Sequence, residues 1–204
     1  MADVDREGPI EEGFLRMHTQ KQLVREQFQR KVQQKPPAER TSDSSALCER
    51  LARSSIWEET RSVLFFAPLA DEPDLWPVFY FILQQGLTVA LPRMDVSAGC
   101  YRACAVTNPA TDLITGHFGI KEPGPGCTEH PLNLLDLVLV PGVAFDLGGR
   151  RLGRGAGYYD RLLTNVRGTT CGIAFDEQIS GELPVEPHDV LIDCILTPTR
   201  WLQC

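Results

Sequence analysis

The stretch Leu134-Leu-Asp-Leu-Val-Leu-Val-Pro-Gly-Val-Ala-Phe145 is the strongest strand signal in this sequence. It is an almost continuous apolar run, the pattern of a strand that is buried on both faces of a parallel sheet. A loop rich in glycine and arginine follows, and a helix is predicted from Tyr158 to Val166. Strand, loop and helix in this order are typical of a βαβ unit, so the stretch predicts an α/β fold.

Other short apolar runs lie on both sides of this stretch and predict further strands. An apolar helix is predicted from near Asp74 to Gly86, with Pro77 in its first turn. Residues 97–131, rich in Gly, Pro and Thr, are predicted to form a hairpin and a loop across one end of the sheet. The alternation of strands and helices indicates a mostly parallel sheet with helices on both faces. The additional strands are predicted at Val63–Phe66, Leu87–Pro92, Thr170–Phe175 and Val190–Leu196.

The N-terminal part is predicted to be a flexible tail over residues 1–12, followed by one domain over residues 13–204. A helix is predicted for Gly13–Gln34, and Lys21 falls on its apolar stripe with Arg25 at the edge. A buried ammonium group needs a partner, and no acid on this helix is suitably spaced. The two cations point the same way, which suits nucleotide phosphates or a carboxylate; the alternative is a solvated basic face. The stripe consists of Met17, Val24, Phe28 and Val32.

The overall composition restricts the class of protein. With 204 residues, the chain suits one domain with a sizeable core, and 43% hydrophobic and 23% charged residues are typical of globular proteins. A formal net charge of −7 excludes a global positive field that would attract nucleic acid or anionic membranes. We therefore expect neither a nucleic-acid partner nor a membrane partner.

The cysteines and the N-terminal residues indicate the compartment. The seven cysteines are odd in number and form no Cys-x-x-Cys motif, which favours reduced thiols. Residues 1–7 are acidic and contain no apolar run, unlike a secretory signal or an arginine-rich transit peptide. No apolar stretch approaches the roughly 20 residues that a membrane span needs. The expected location is the cytoplasm.

The loop Asp146-Leu-Gly-Gly-Arg-Arg-Leu-Gly-Arg-Gly-Ala-Gly-Tyr-Tyr-Asp160 is the main candidate for a phosphate site. Its glycines allow a close backbone approach, and its arginines supply charge-assisted donors at the start of a helix. It is not a Walker loop and does not match Gly-x-Gly-x-x-Gly. Three arginines in an acidic chain favour a phosphate cradle over a simple connection; they are Arg150, Arg151 and Arg154.

Two carboxylates are candidate metal ligands beside this loop. Asp160 ends it, and Asp189 lies in the loop before the last predicted strand. Carboxylates at the carboxyl ends of parallel strands can hold Mg²⁺ that bridges nucleotide phosphates. The alternatives are a helix N-terminal acid for Asp160 and a turn residue for Asp189.

The histidines do not indicate a second kind of site. His117, His130 and His188 show no metal-ligand spacing with the cysteines, and no Gly-x-Ser-x-Gly motif is present. We therefore set aside zinc and hydrolase interpretations. His188 is interpreted as structural rather than as a proton carrier.

The string Arg151-Leu-Gly-Arg-Gly-Ala-Gly-Tyr-Tyr-Asp160 resembles the 5-formyltetrahydrofolate cyclo-ligases, also called methenyltetrahydrofolate synthetases. The resemblance extends in order and spacing over roughly residues 18–198. Some members carry Lys where this chain has Ala156. The other matching motifs are Lys21-x-x-x-Arg25, Phe66-Ala-Pro-Leu-Ala-Asp-Glu72, Leu91-Pro-Arg93, Phe118-Gly-Ile-Lys-Glu-Pro123, Ala174-Phe-Asp-Glu-Gln178 and His188-Asp189.

The resemblance implies a single three-layer α/β/α domain that binds ATP, Mg²⁺ and a reduced folate in one cleft. It implies Asp160 and Asp189 as Mg²⁺ ligands and Arg154 and Glu72 as catalytic residues. The implied ATP contacts are Lys21, Arg25, Arg151, Leu152, Gly153, Arg154, Gly155, Ala156, Gly157, Tyr158 and Tyr159. The implied folate contacts are Ala67, Glu72, Phe118, Arg154, Gly155, Gly157 and Tyr158.

The implied activity is the ATP-dependent cyclisation of 5-formyltetrahydrofolate, with or without a polyglutamate tail, to 5,10-methenyltetrahydrofolate with release of ADP and phosphate. Such a reaction relies on positioning and charge stabilisation, which agrees with a loop of glycines and arginines and no nucleophile. Two alternatives are a non-catalytic folate- or nucleotide-binding relative and a small-molecule kinase that uses the same cradle. We expect the protein to act as a monomer.

Overall fold

The computed structural model describes residues 9–116, 119–184, 186 and 189–204, with side chains from Met17 onward. In these ranges the helices are α1 (Pro9–Gln34), α2 (Pro37–Ala52), α3 (Trp76–Gln84), α4 (Pro109–Asp112) and α5 (Tyr158–Leu163). The strands are β1 (Ser62–Leu64), β2 (Thr88–Asp95), β3 (Cys100–Ala105), β4 (Leu113–Thr115), β5 (Lys121–Pro123), β6 (Leu137–Pro141), β7 (Ala144–Asp146), β8 (Arg151–Leu152), β9 (Thr169–Ile173), β10 (Ile179–Ser180), β11 (Cys194–Leu196) and β12 (Trp201–Gln203).

The central sheet has seven strands in the order β12-β11-β9-β6-β1-β2-β3. The five strands from β11 to β2 are parallel to one another, and β12 and β3 join the two edges in the antiparallel direction. Short connections bring β12 and β3 back beside the preceding strand, which only an antiparallel pair allows. The predicted mostly parallel sheet is therefore confirmed.

Helices cover both faces of this sheet. Consecutive residues of its strands point to opposite sides, and because both sides are apolar, each has to pack against helices. Val63 and Leu137 pack in one apolar cluster with Leu47 of α2 and Phe79 of α3. The residues that follow them on β1 and β6, Leu64 and Val138, pack in another cluster with Leu162 and Leu163 of α5. The three-layer α/β/α architecture expected from the resemblance is thus present, with the core between the layers.

A small second sheet, in the order β10-β7-β8, carries the segments that form the site. Strand β7 pairs parallel with β10 and antiparallel with β8. Helix α1 packs on this small sheet through Phe28, which contacts a cluster containing Ala144 and Leu152. Lys21, Phe28 and Val32 are buried, as the predicted stripe requires.

Several predicted boundaries were wrong. Helix α1 begins at Pro9, not at Gly13, since proline is well tolerated in the first turn of a helix; residues 1–8 lie outside the described residues. The long apolar run is divided into β6 and β7 at Gly142, where an added Cβ would lie 2.6 Å from the Phe145 ring. Helix α5 ends at Leu163, three residues before the predicted Val166.

The segment 97–131 also differs from its prediction. Its first part is β3, which extends the central sheet through six residue pairs with β2 and does not lie across the end. The later hairpin of β4 and β5 does form a separate two-stranded sheet. Among the described residues, no helix has both the length and the apolar character to cross a membrane.

Candidate active site

A cavity of about 520 Å³ opens at the carboxyl ends of β1 and β6. The chain runs from β1 to β2 on one side and later returns to β6 on the other side, so the strand order reverses at this point. Such a switch point creates a crevice where α/β proteins bind ligands. Phe66 and Ala67 after β1 line one wall, and Pro141 and Gly142 at the end of β6 line another.

The glycine–arginine loop after β8 forms a third wall of this cavity. Gly155 has φ 107° and Gly157 has φ 66°, a left-handed region that favours glycine. Arg25 of α1 lies against the loop, with its Nε donating to the carbonyl oxygen of Gly153 at 2.9 Å. Because α5 has only six residues, the loop presents its own backbone rather than the N-terminus of a long helix.

Lys21 reaches the same cavity from α1, and its amino group is held by two carboxylates. Its Nζ lies 2.7 Å from Oε2 of Glu186 and 2.7 Å from Oδ2 of Asp189. The partner that a buried ammonium requires is therefore supplied by a distant loop. Burial lowers the pKa of the neighbouring Arg25, an effect that the charges of Glu186, Asp189 and Asp160 oppose.

Arg151 and Asp160 form a second ion pair, at the floor of the cavity. Nη2 of the buried Arg151 donates to Oδ1 of Asp160 at 2.6 Å, while its Nε has no hydrogen-bond partner among the described residues. Leu152 also belongs to the cavity lining, although the residue is buried. Arg150, which the sequence grouped with the phosphate-binding arginines, is not in the cavity lining, and its Nη1 lies 3.4 Å from Oδ2 of Asp146.

Arg154 bridges the glycine–arginine loop to the segment after β1. Its Nη2 lies 2.6 Å from Oδ1 of Asp71 and 3.1 Å from Oε1 of Glu72. Burial raises the pKa of the Glu72 carboxyl, against the lowering effects of the Leu69 amide and Arg154. Burial would lower the pKa of Arg154, but its hydrogen bond to Asp71 and the charge of Glu72 outweigh this and raise it.

Aromatic rings line the remaining side. The ring of Tyr101 on β3 lies 5.2 Å from that of Tyr158 and 5.8 Å from that of Tyr159, measured between centroids. Burial raises the pKa of Tyr159 well above its ordinary value, so this hydroxyl stays protonated at neutral pH. Nη2 of Arg161 donates to the carbonyl oxygens of Gly99 and Ala156 and so ties the β2–β3 turn to the loop.

The structure gathers nearly all of the predicted site residues around one cavity. Lys21, Arg25, Ala67, Glu72, residues 151–160 and Asp189 all line it. Phe118 and His188 lie outside the described residues. Several other lining or bridging residues had been given no role from the sequence. Among them, Asp71 and Glu122 stand in motifs quoted above, Glu186 is a second acid near Asp189, and Tyr101 had no local signal.

The carboxylates of the cavity could contribute to a magnesium site. No cluster of three or more His, Cys, Asp or Glu side chains suited to a metal occurs in the ranges that the structure describes. Mg²⁺ in nucleotide sites typically takes one or two carboxylates, with phosphates and waters as the other ligands. Asp160 and Asp189, both in the cavity lining, fit that requirement in number and in chemistry.

A glycine-rich loop, basic side chains and carboxylates at the switch point of a parallel sheet are features typical of the class of nucleotide-using α/β enzymes. The model of the "5-formyltetrahydrofolate cyclo-ligase family" matches residues 17–198. The chain belongs to this family.

Individual relatives agree with the family match. The 5-formyltetrahydrofolate cyclo-ligase of Mycolicibacterium smegmatis is 36% identical over 177 residues, which cover 81% of this chain and 87% of that protein. The Escherichia coli cyclo-ligase is 32% identical over 143 residues, covering 68% and 79%. The structure of 5,10-methenyltetrahydrofolate synthetase from Aquifex aeolicus superimposes with a TM-score of 0.81 at 32% identity, covering 90% of this chain and 92% of that one.

Proposed function

We propose that this protein closes 5-formyltetrahydrofolate to 5,10-methenyltetrahydrofolate at the expense of ATP. The formyl oxygen on N5 attacks the γ-phosphorus, and the bond from that phosphorus to ADP breaks. N10 then attacks the activated carbon and loses its proton, and the oxygen leaves with the phosphoryl group as inorganic phosphate. Phosphorylation is needed because a formamide oxygen is otherwise a poor leaving group.

The observation that carries this proposal is the convergence of two kinds of surface on one cavity. The backbone of residues 153–157, with Lys21 and Arg25, offers donors for phosphates, whereas Tyr101 and Tyr158 offer aromatic faces for a flat pterin. Arg154 lies between the two surfaces, beside Glu72. A guanidinium in this position can stabilise the charge that develops on the transferred phosphoryl group.

Glu72 is assigned to the folate side. Its carboxylate has a raised pKa and contacts both the Leu69 amide and Arg154, so it is held in one orientation. A fixed carboxylate can accept hydrogen bonds from the N–H groups of a pterin and orient the formyl group toward ATP. Ala67, Gly155 and Gly157 present little side-chain bulk beside it. Phe118 is assigned to folate by its motif alone.

We also propose that the enzyme uses Mg²⁺, held by Asp160 and Asp189. When bound, Mg²⁺ neutralises charge on the nucleotide phosphates. Asp160 is kept in place by Arg151, and Asp189 by Lys21 and by the backbone N–H of Glu186. The reaction is placed in the cytoplasm, where the free thiols of this chain would stay reduced.

The test is an assay with purified protein, 5-formyltetrahydrofolate and Mg·ATP. We expect the methenyl chromophore to appear in step with inorganic phosphate, one for one. Phosphate without the chromophore would indicate an ATPase, and a stable phosphorylated product would indicate a kinase. Binding of both ligands without turnover would identify a non-catalytic relative.

A further inference from the structure

Lys21 is an unusually enclosed cation, because only 7% of its side chain is exposed. Its two partners are nearly as enclosed, with 17% exposure for the Glu186 side chain and 11% for that of Asp189. An ammonium group in such surroundings is costly unless it stays paired. Any ligand that takes away one partner therefore depends on the other partner to keep Lys21 in place.

The two partners differ in what else they can do. Oδ2 of Asp189 accepts from Lys21 and also from the backbone N–H of Glu186 at 2.7 Å. Asp189 is one of the two carboxylates assigned to Mg²⁺, whereas no metal role is assigned to Glu186. With Mg²⁺ bound, Asp189 would share its negative charge with the metal, and Glu186 would be the remaining carboxylate in contact with the Lys21 amino group.

The charges around Lys21 also support different roles for Glu186 and Asp189. Counted over the described residues, the cluster contains three cations and three carboxylates, so the removal of one carboxylate shifts its charge by one positive unit, which opposes the binding of a further cation. Glu186 and Asp189 are the two that contact Lys21, and Asp160 is occupied by Arg151. The cations are Lys21, Arg25 and Arg151, and the carboxylates are Asp160, Glu186 and Asp189.

We propose that Glu186 is a positioning residue for the reaction. It is the constant counter-charge of Lys21, so that Asp189 can turn to Mg²⁺ while Lys21 remains directed at the nucleotide. This inference rests on the proposed function, since it assumes that Mg·ATP binds in the cavity. Its consequence is that Glu186 couples the binding of Mg²⁺ to the binding of ATP without touching either.

The test is calorimetric titration of the protein with ATP, carried out once in the presence of Mg²⁺ and once in the presence of EDTA. The Glu186→Gln variant should lower the Mg²⁺-dependent gain in ATP affinity by about tenfold, the equivalent of one charge-assisted hydrogen bond. Its affinity for ATP in EDTA should not fall, because Lys21 is then less restrained. Glu182→Gln is the matched control, an acid in the same segment whose side chain is 82% exposed; it should behave as the parent.

Equal losses of ATP affinity with and without Mg²⁺, or no loss at all, would overturn the proposal. If Glu186→Gln does not fold, the comparison uses the single variant Lys21→Met and the double variant Lys21→Met/Glu186→Gln. The double variant should show the same Mg²⁺-dependent gain in ATP affinity as Lys21→Met alone. A smaller gain in the double variant would mean that Glu186 does not act through Lys21. A parent protein that makes no methenyl product refutes the proposed function instead.

Discussion

The Nζ atom of Lys21 lies 2.7 Å from Oδ2 of Asp189, although 168 residues separate the two along the chain. The sequence assigned these residues to different ligands, Lys21 to ATP and Asp189 to Mg²⁺. In the structure each neutralises the other. Substrate binding at these two side chains therefore has to exchange one partner for another.

Replacement of Lys21 tests the nucleotide side of this exchange. Lys21→Met should raise the half-saturating ATP concentration by about tenfold, because one charge-assisted contact to phosphate is lost. The melting temperature should show that the variant remains folded. Lys31→Met is the control, an exposed lysine on the same helix that does not line the cavity. An unchanged ATP requirement would remove α1 from the nucleotide site.

Neutralisation of the two aspartates tests the metal side. Asp160→Asn and Asp189→Asn should each raise the Mg²⁺ concentration needed for half-maximal rate, because a neutral amide is a poorer ligand than a carboxylate. Asp160→Asn should also lower the free energy of unfolding by about 2 kcal/mol, since buried Arg151 loses its charged partner. Metal titrations of the rate and urea unfolding measure the two effects. A metal dependence equal to that of the parent would refute the assignment.

Arg154→Ala should lower turnover by at least about 30-fold, the equivalent of about 2 kcal/mol of lost transition-state stabilisation. Its melting temperature should change little, because the Arg154 side chain is 40% exposed and its ion pairs are partly solvated. Arg150→Ala provides a matched control with the same residue type four positions away, outside the cavity lining. A lower melting temperature with normal turnover would show that Arg154 is structural.

The raised pKa of Glu72 predicts a pH effect on the stability of the ligand-free protein. The folded state retains this proton to a higher pH than the unfolded state, whose carboxyl titrates near the ordinary value of 4.5. Between the two pKa values the folded state therefore binds more protons, so this contribution to the free energy of unfolding declines as the pH rises. Urea unfolding of the parent and of Glu72→Gln across that window should show that the difference between their free energies of unfolding, parent minus variant, falls as the pH rises. Parallel pH profiles would contradict the prediction.

Local patterns predicted the elements better than they predicted their ends. The helical spacing of Phe28 and Val32 correctly placed Lys21 on the buried face of α1. The run from Leu134 to Phe145 was taken as one strand because apolar content does not reveal a turn. The Phe145 ring packs so close to Gly142 that only glycine fits there, and this contact belongs to the tertiary structure.

The same limit applies to the site. Arg150, Arg151 and Arg154 look equivalent in the sequence, but Asp146 attracts the first, Asp160 the second and Asp71 the third. Only Arg151 and Arg154 therefore line the cavity. The partnership of Lys21 with Glu186 was also not predictable, because periodicity shows that a residue is buried but not which distant loop meets it. The family resemblance supplied the assignments that spacing alone left open.

The sequence distance between Lys21 and its partners has a consequence for the newborn chain. During synthesis at about 5–20 residues per second, Lys21 waits on the order of ten seconds or more before Glu186 and Asp189 exist. The cluster that receives Phe28 includes Leu183, which is also made late. Until then the Lys21 ammonium on the apolar stripe of α1 lacks both of the carboxylates that it contacts in the folded protein. The corner of the cavity around Lys21 is therefore completed only after residue 189 has been made, later than the glycine–arginine loop that forms another of its walls.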